Sequence, residues 1–200
     1  MSKGYFLVER KTIGDVYIQP KNKFRIPRFQ RQYTWEENQI EEFWETIVSK
    51  DPVFIGTIIL DISEKDNENI VEIIDGQQRY LTIQILGAVI RNVILIQGKL
   101  STDEKFEKKA KGINTRIIGT PNVDDDELYD DYLIPGDSIK DFFKKYIQNY
   151  PSNLIEEIND KLKVQKNSEE ERVKKAYLKF KILVEKEIES LSFKDKYEWL

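Results

Sequence analysis

Residues 69–80 read Asn69-Ile70-Val71-Glu72-Ile73-Ile74-Asp75-Gly76-Gln77-Gln78-Arg79-Tyr80, and this stretch decides the fold. Its first half is β-branched and apolar, the composition of a strand. From Tyr80 to Ile96 the chain is apolar with helical spacing, interrupted by Thr82, Gln84, Arg91 and Asn92. That pattern predicts a buried central helix rather than a membrane span. Asp75-Gly76 therefore stands where a strand becomes a helix. Gly76 permits a sharp turn or a close ligand approach. The amides that follow open a helix and lack carbonyl partners within it, which suits an anion, most often phosphate. Arg79 places a planar cation within reach of the same spot.

Upstream, residues 53–62 read as a strand with Gly56-Thr57 inside it, and glycine in mid-strand marks a bulge or a close backbone approach. A polar turn at 63–69 joins it to residues 70–74, which predicts an antiparallel hairpin. Thr34-Trp35-Glu36-Glu37 has the pattern of a capping box, with Thr34 as N-cap of a helix to about Ser49. Ile40, Phe43, Trp44 and Ile47 mark its core face. Thr12 caps a short turn to Tyr17, and residues 21–26 are extended, with Pro27 keeping Ile26 out of helical geometry.

Downstream the character changes. Residues 101–112 form a charged helical stretch. Residues 114–122 and 128–134 read as short strands around the acidic turn 124–127. Asp137 caps a helix to about Gln148, and Pro151 opens another. Residues 169–191 form an amphipathic helix with Val173, Tyr177, Phe180, Leu183, Val184 and Ile188 on one stripe. The expected class is α+β, with a core over residues 1–100 and a mainly helical subdomain over 101–200 packed on it.

Composition limits the chemistry. The 200 residues are 40% hydrophobic and 34% charged, enough for a core and too apolar for a disordered chain. Net charge is −4 and the pI about 5.2, so any nucleic-acid surface is a local patch. There is no Cys and no His, which excludes disulfides, thiolate metal sites and His-dependent triads, zinc sites and nucleases within this chain. The first ten residues lack the apolar run of a signal peptide, and the expected location is cytoplasmic, away from membranes. The apolar end at Tyr197-Glu198-Trp199-Leu200 suggests continuation of the chain or docking on a partner.

Three blocks resemble a known family. Ile26-Pro27-Arg28-Phe29-Gln30-Arg31-Gln32-Tyr33-Thr34-Trp35, then Phe54-Ile55-Gly56-Thr57, then Asp75-Gly76-Gln77-Gln78-Arg79 are similar to the N-terminal domain of GmrSD-type restriction proteins, a ParB/sulfiredoxin-like domain. The likeness is tightest over residues 10–97 and looser through the C-terminal helices. It implies a component of a bacterial restriction or phage-defence system that binds, and in some relatives hydrolyses, nucleoside triphosphates. The Asp75–Arg79 block corresponds to the phosphate-binding corner. Many relatives carry a His-Asn-His nuclease; with no His here, that nuclease lies outside this chain, in a further domain or a partner subunit. The family usually has Tyr where this chain has Phe29, so a hydroxyl is missing at that position.

Each block has a plainer reading. Asp75–Arg79 would then be a strand-to-helix turn, with Asp75 a cap and Arg79 paired to one of the many Glu residues. In the site reading, Gln30, Arg31, Gly76, Gln77, Gln78 and Arg79 bind the nucleotide. Asp75 and Gln78 are the catalytic candidates, with Asp75 also the candidate ligand for Mg²⁺. Phe29, Tyr33 and Trp35 are expected to anchor the loop to the core, so that Gln30 and Arg31 are held in one direction. Arg31 should then face the same pocket as Arg79, forming a clamp for a triphosphate. Trp35 and Trp44 read as core residues. Residues 21–31 carry five basic side chains and no acidic one, interleaved with aromatics, which leaves open a DNA-binding module without turnover. A third reading is an interaction domain whose helical half docks a nuclease subunit. The acidic residues 124–131 read as a solvated loop, without the glycine and spacing of a calcium loop.

Overall fold

The computed structural model describes residues 7–18, 20, 22–49, 51–62, 70–101, 103–121, 129–150, 158–192, 195, 196 and 198. The acidic turn at 124–127, the polar turn at 63–69, the helix expected after Pro151 and most of the chain end lie outside them.

A four-stranded sheet stands against one long helix. Strands β1 (Lys23–Arg25), β2 (Ile59–Asp61), β3 (Ile70–Asp75) and β6 (Leu133–Ile134) are ordered β2-β3-β1-β6. The β2/β3 pair is antiparallel, as its short polar connection requires. β1 runs parallel to both β3 and β6, with Phe24 opposite Val71 and Leu133. Residues Val71 and Ile73 alternate onto the buried face, the period of a half-covered strand. β4 (Gly119–Pro121) and β5 (Tyr129–Asp131) form a separate antiparallel pair.

Helix α3 (Gln77–Ser101) fills the centre. By length and composition it could cross a membrane, but 72% of its most apolar window is buried inside the domain. Its first turn is fixed by Tyr80, whose ring lies 4.9 Å from that of Tyr17 and 5.0 Å from that of Phe24. Tyr17 ends α1 (Ile13–Tyr17), which Thr12 caps by accepting from the Asp15 N–H. The polar residues inside α3 serve the second half of the chain. Arg91, 1% exposed, donates to Asn114 Oδ1 at 2.6 Å and to the Ile147 carbonyl at 3.1 Å. Asn92 donates to the Tyr177 hydroxyl at 2.7 Å. Such groups are stable in a core only when partnered, and here the partners lie far along the chain.

Helices α2 (Glu37–Val48), α4 (Glu104–Ile113), α5 (Lys140–Phe143) and α6 (Glu169–Glu189) complete the α+β fold. α6 buries Val173, Ala176, Tyr177, Phe180, Val184 and Ile188, and Leu183 is partly buried beside them. Both halves of the chain share one core, because β6 joins the first-half sheet and α6 packs on α2 and α3.

Four local expectations are corrected. The strand expected over 53–62 is regular only at Ile59–Asp61. Residues 114–118 form a single π-helical turn before β4, with Ile118 buried. Asp137 is not a helix cap; it pairs with Arg28 at 2.9 Å, and α5 begins three residues later. The capping box moves by two residues: Thr34 is engaged by Gln78, and the Gln39 side chain accepts from the Glu36 N–H at 2.8 Å instead.

Candidate functional site at the strand-to-helix corner

The backbone turns at Gly76 with φ +98°, a left-handed value that glycine adopts without strain. A Cβ there would also stand 3.1 Å from Ile58 Cγ1. The first bond within α3 runs from the Tyr80 N–H to the Gly76 carbonyl, 3.1 Å. The N–H groups of Gln77, Gln78 and Arg79 precede it and find no carbonyl inside the helix. They sit at the positive end of a 25-residue helix dipole.

Residues 30–34 are tied to this corner at several points. Gln30 Nε2 donates to the Ile74 carbonyl at 2.8 Å. The Thr34 N–H donates to Gln78 Oε1 at 2.8 Å, and Gln78 Nε2 donates to the Gln32 carbonyl at 3.0 Å. Thr82 Oγ1 donates to the Gln78 carbonyl at 2.8 Å and lies 2.9 Å from the Tyr33 hydroxyl. Burial pushes that hydroxyl far above the ordinary tyrosine range, so it stays protonated and can donate to Thr82. The Tyr33 N–H donates to Glu169 Oε1 at 2.6 Å, which ties the loop to the start of α6.

Arg31 and Arg79 then face one small cleft. It measures about 70 Å³ and is lined by Arg31, Trp35, Asp75, Gly76, Gln77, Gln78 and Arg79. Arg79 donates to the Thr57 carbonyl, and its guanidinium lies against Gly56. Gly56 has φ +106°, and a Cβ on it would stand 2.7 Å from Arg79 Cζ. The close approach expected at this glycine is therefore to an arginine side chain. Among the described residues neither Arg31 nor Arg79 forms an ion pair, so the reading of Arg79 as a partner for a glutamate does not hold there. Gln77, 3% exposed, lines the cleft, and its carboxamide has no hydrogen-bond partner among the described residues. The carboxamide is thus left open to the cleft.

The other expected residues are placed as follows. Gln78 lines the cleft, but its carboxamide is engaged by Thr34 and Gln32. Gln30 opens on a neighbouring, larger cleft of about 290 Å³, which Arg31 also lines. Asp75 is exposed at the rim. Among the described residues no group of three or more acidic side chains could hold a metal ion. Asp75 alone fits Mg²⁺ only in the manner in which phosphates and waters complete the shell. Trp35 is half-buried, edge-on to Phe43 at 5.5 Å, and forms a wall of the cleft rather than core alone. Tyr33 anchors the loop as expected, whereas Phe29 is 75% exposed and anchors nothing. Sequence reasoning did not single out Ser138 or Glu169, which enter the larger cleft from the second half. Glu169 looks like an ordinary acidic first-turn residue, and only the tertiary fold buries it.

The fold and site define an α+β domain with a cationic strand-to-helix corner. The GmrSD restriction endonuclease N-terminal domain family matches residues 13–198, nearly the whole chain, and the protein belongs to that family. Membership places it among the components of restriction systems. No individual curated protein matches it.

Proposed function

We propose that this domain binds a nucleoside triphosphate and hydrolyses it as the sensor or regulator of a restriction system, with DNA cutting supplied by a nuclease domain or subunit outside these residues. The observation that carries the reading is the small cleft. Its donors are two arginines, three helix-start amides and the Gln77 carboxamide. None of them has an ion-pair partner or a side-chain hydrogen-bond acceptor among the described residues, and Arg79 donates to the Thr57 carbonyl; the carboxylate at the rim is Asp75. Such a concentration of donors is complementary to phosphate oxygens. Gln78 contributes its amide and holds the loop through its side chain. The free carboxamide of Gln77 and the carboxylate of Asp75 are the groups left to orient a water against the terminal phosphorus. Phosphoryl transfer relies mainly on positioning and charge stabilisation, which this arrangement supplies. Mg²⁺, held by Asp75 and the phosphates, would neutralise further charge. The cytoplasm is the compartment that supplies both ligands.

Removing Arg79 tests the reading. Arg79→Ala should weaken triphosphate binding by roughly 10–100-fold, the worth of a charge-assisted pair, with the far-ultraviolet spectrum unchanged. Arg31→Ala is the companion variant: Arg31 is exposed and bonds nothing among the described residues, so it cannot act through the fold. Calorimetric titration with each of the four triphosphates and Mg²⁺ is the measurement. Wild-type affinity in both variants would rule the site out.

A second reading is favoured by Phe29, 75% exposed beside Arg28 and Arg31. An exposed aromatic among cations suits stacking on a DNA base. Labelled DNA titrated at two salt concentrations decides it. Affinity that falls steeply with salt and drops in Phe29→Ala supports DNA contact; no binding at low salt removes it.

A further inference from the structure

The cleft of about 290 Å³ adjoins the phosphate cleft, and Arg31 lines both. The two differ in size and in chemistry. About 70 Å³ has room for little more than phosphate groups, whereas the larger cleft reaches the lower end of ordinary ligand pockets, roughly 300 Å³. Its walls are apolar at Ile26, Pro27 and Leu81, surfaces suited to the flat face of a base. Its carboxylates come from the second half of the chain. Glu169 is 5% exposed; Oε1 accepts the Tyr33 N–H at 2.6 Å, and Oε2 accepts the Ser138 hydroxyl. A carboxylate offers about four lone-pair sites, so these two bonds leave capacity for a donor brought by a ligand. Of the two arginines that line the cleft, Arg28 is already paired with Asp137 at 2.9 Å.

We propose that this larger cleft holds the nucleoside of the bound nucleotide, and that Glu169 is the acceptor against which a nucleoside donor, a ribose hydroxyl or a base N–H, is selected. The proposal rests on the triphosphate reading of the smaller cleft. The ligand then spans both halves of the chain: its phosphates lie on the start of α3, and its nucleoside on the start of α6. Arg31 stands between them, in a loop that Gln30 holds to the Ile74 carbonyl.

The test compares each ribonucleoside triphosphate, its 2′-deoxy form and inorganic tripolyphosphate by calorimetry on the whole chain. At least one ribonucleotide should bind the wild type about tenfold or more tightly than tripolyphosphate, the worth of one charge-assisted hydrogen bond. Glu169→Gln keeps an oxygen for the Tyr33 N–H and an amide for Ser138, so the fold contacts persist. It should erase that preference while leaving tripolyphosphate affinity unchanged. A 2′-deoxy ligand that binds the wild type as weakly as the ribonucleotide binds Glu169→Gln assigns the donor to the ribose; an altered ranking among the four bases assigns it to the base. A wild type that does not prefer nucleotide over tripolyphosphate, or a Glu169→Gln protein that keeps the preference, overturns the inference. The triphosphate reading survives that result if Arg79→Ala still loses tripolyphosphate. A wild type that binds neither ligand overturns both. Gly136→Phe gives an independent check should Glu169→Gln not fold: Gly136 lines the cleft, has no left-handed φ, and a Cβ there meets nothing within 4 Å. The aromatic ring should block nucleotide and spare tripolyphosphate; equal effects on the two ligands count against separate subsites.

Discussion

Gly56→Ala is expected to lower stability and triphosphate affinity together, although Gly56 lies outside the Asp75–Arg79 motif. Two terms add. The backbone at φ +106° is foreign to alanine, a strain of about 1–3 kcal/mol. The new Cβ would also overlap the Arg79 guanidinium at 2.7 Å, so either the side chain or the backbone must move. The side chain is the softer element, and moving it breaks the bond to the Thr57 carbonyl. Affinity for tripolyphosphate should then fall by about tenfold or more, since a misplaced charge-assisted donor forfeits its contribution. Denaturant unfolding and calorimetry measure the two effects. A double-mutant cycle separates them: in the Arg79→Ala background the steric term is gone and only backbone strain remains, so the two substitutions should be non-additive. Strict additivity would show that Gly56 does not act through Arg79. Gly112, inside α4 with nothing near its Cβ position, is the control, and alanine there should stabilise by about 0.5–1 kcal/mol.

The Gly56–Arg79 contact also marks how far the sequence can be read. Local signals sufficed where the chain answers to itself. The β-branched run, Asp75-Gly76 and the apolar helix specify the strand-to-helix corner. The α2 and α6 stripes follow from periodicity, and a mid-strand glycine signals close approach. The α+β class follows from the same patterns. What was illegible depends on partners remote in sequence. Thr34 has the pattern of an N-cap, but Gln78, 44 residues on, takes its N–H and moves the helix start. Gln78 carries the signature of a site residue, while its carboxamide is consumed in holding the loop. Phe29 and Trp35 sit in one aromatic block, yet one is exposed and the other lines a cleft, because only Trp35 meets Phe43. Glu169 lies 136 residues from the N–H it binds, and nothing local separates it from the glutamates that follow.

Phe180→Ala is expected to give the largest loss of stability, about 3–5 kcal/mol, as buried aromatic truncations do. The side chain is fully buried, with ring centroids 6.4 Å from those of Phe43 and Trp44. It is the apolar key between α6 and α2. Polar contacts across the same seam cannot replace it. Lys179 pairs with Glu41, Lys179 lies 3.9 Å from Glu37, and Arg172 lies 3.6 Å from Glu36, with glutamates that are all more than half exposed. Surface pairs of this kind contribute about 0–1 kcal/mol each and weaken with salt. For a chain of this length the loss should lower Tm by roughly 6–20 °C. Ile182→Ala, at a position 61% exposed on the same helix, should stay within about 0.5 kcal/mol of wild type. The effect should also reach the site. α6 begins at Glu169, whose carboxylate holds the Tyr33 N–H, so loosening the helix should speed hydrogen exchange at that amide more than at Tyr80, whose N–H is bonded within α3. A loss below about 1 kcal/mol would mean that the surface pairs hold the seam. Unchanged exchange at Tyr33 would mean that the loop keeps its place without α6, and the two clefts would then be mechanically independent.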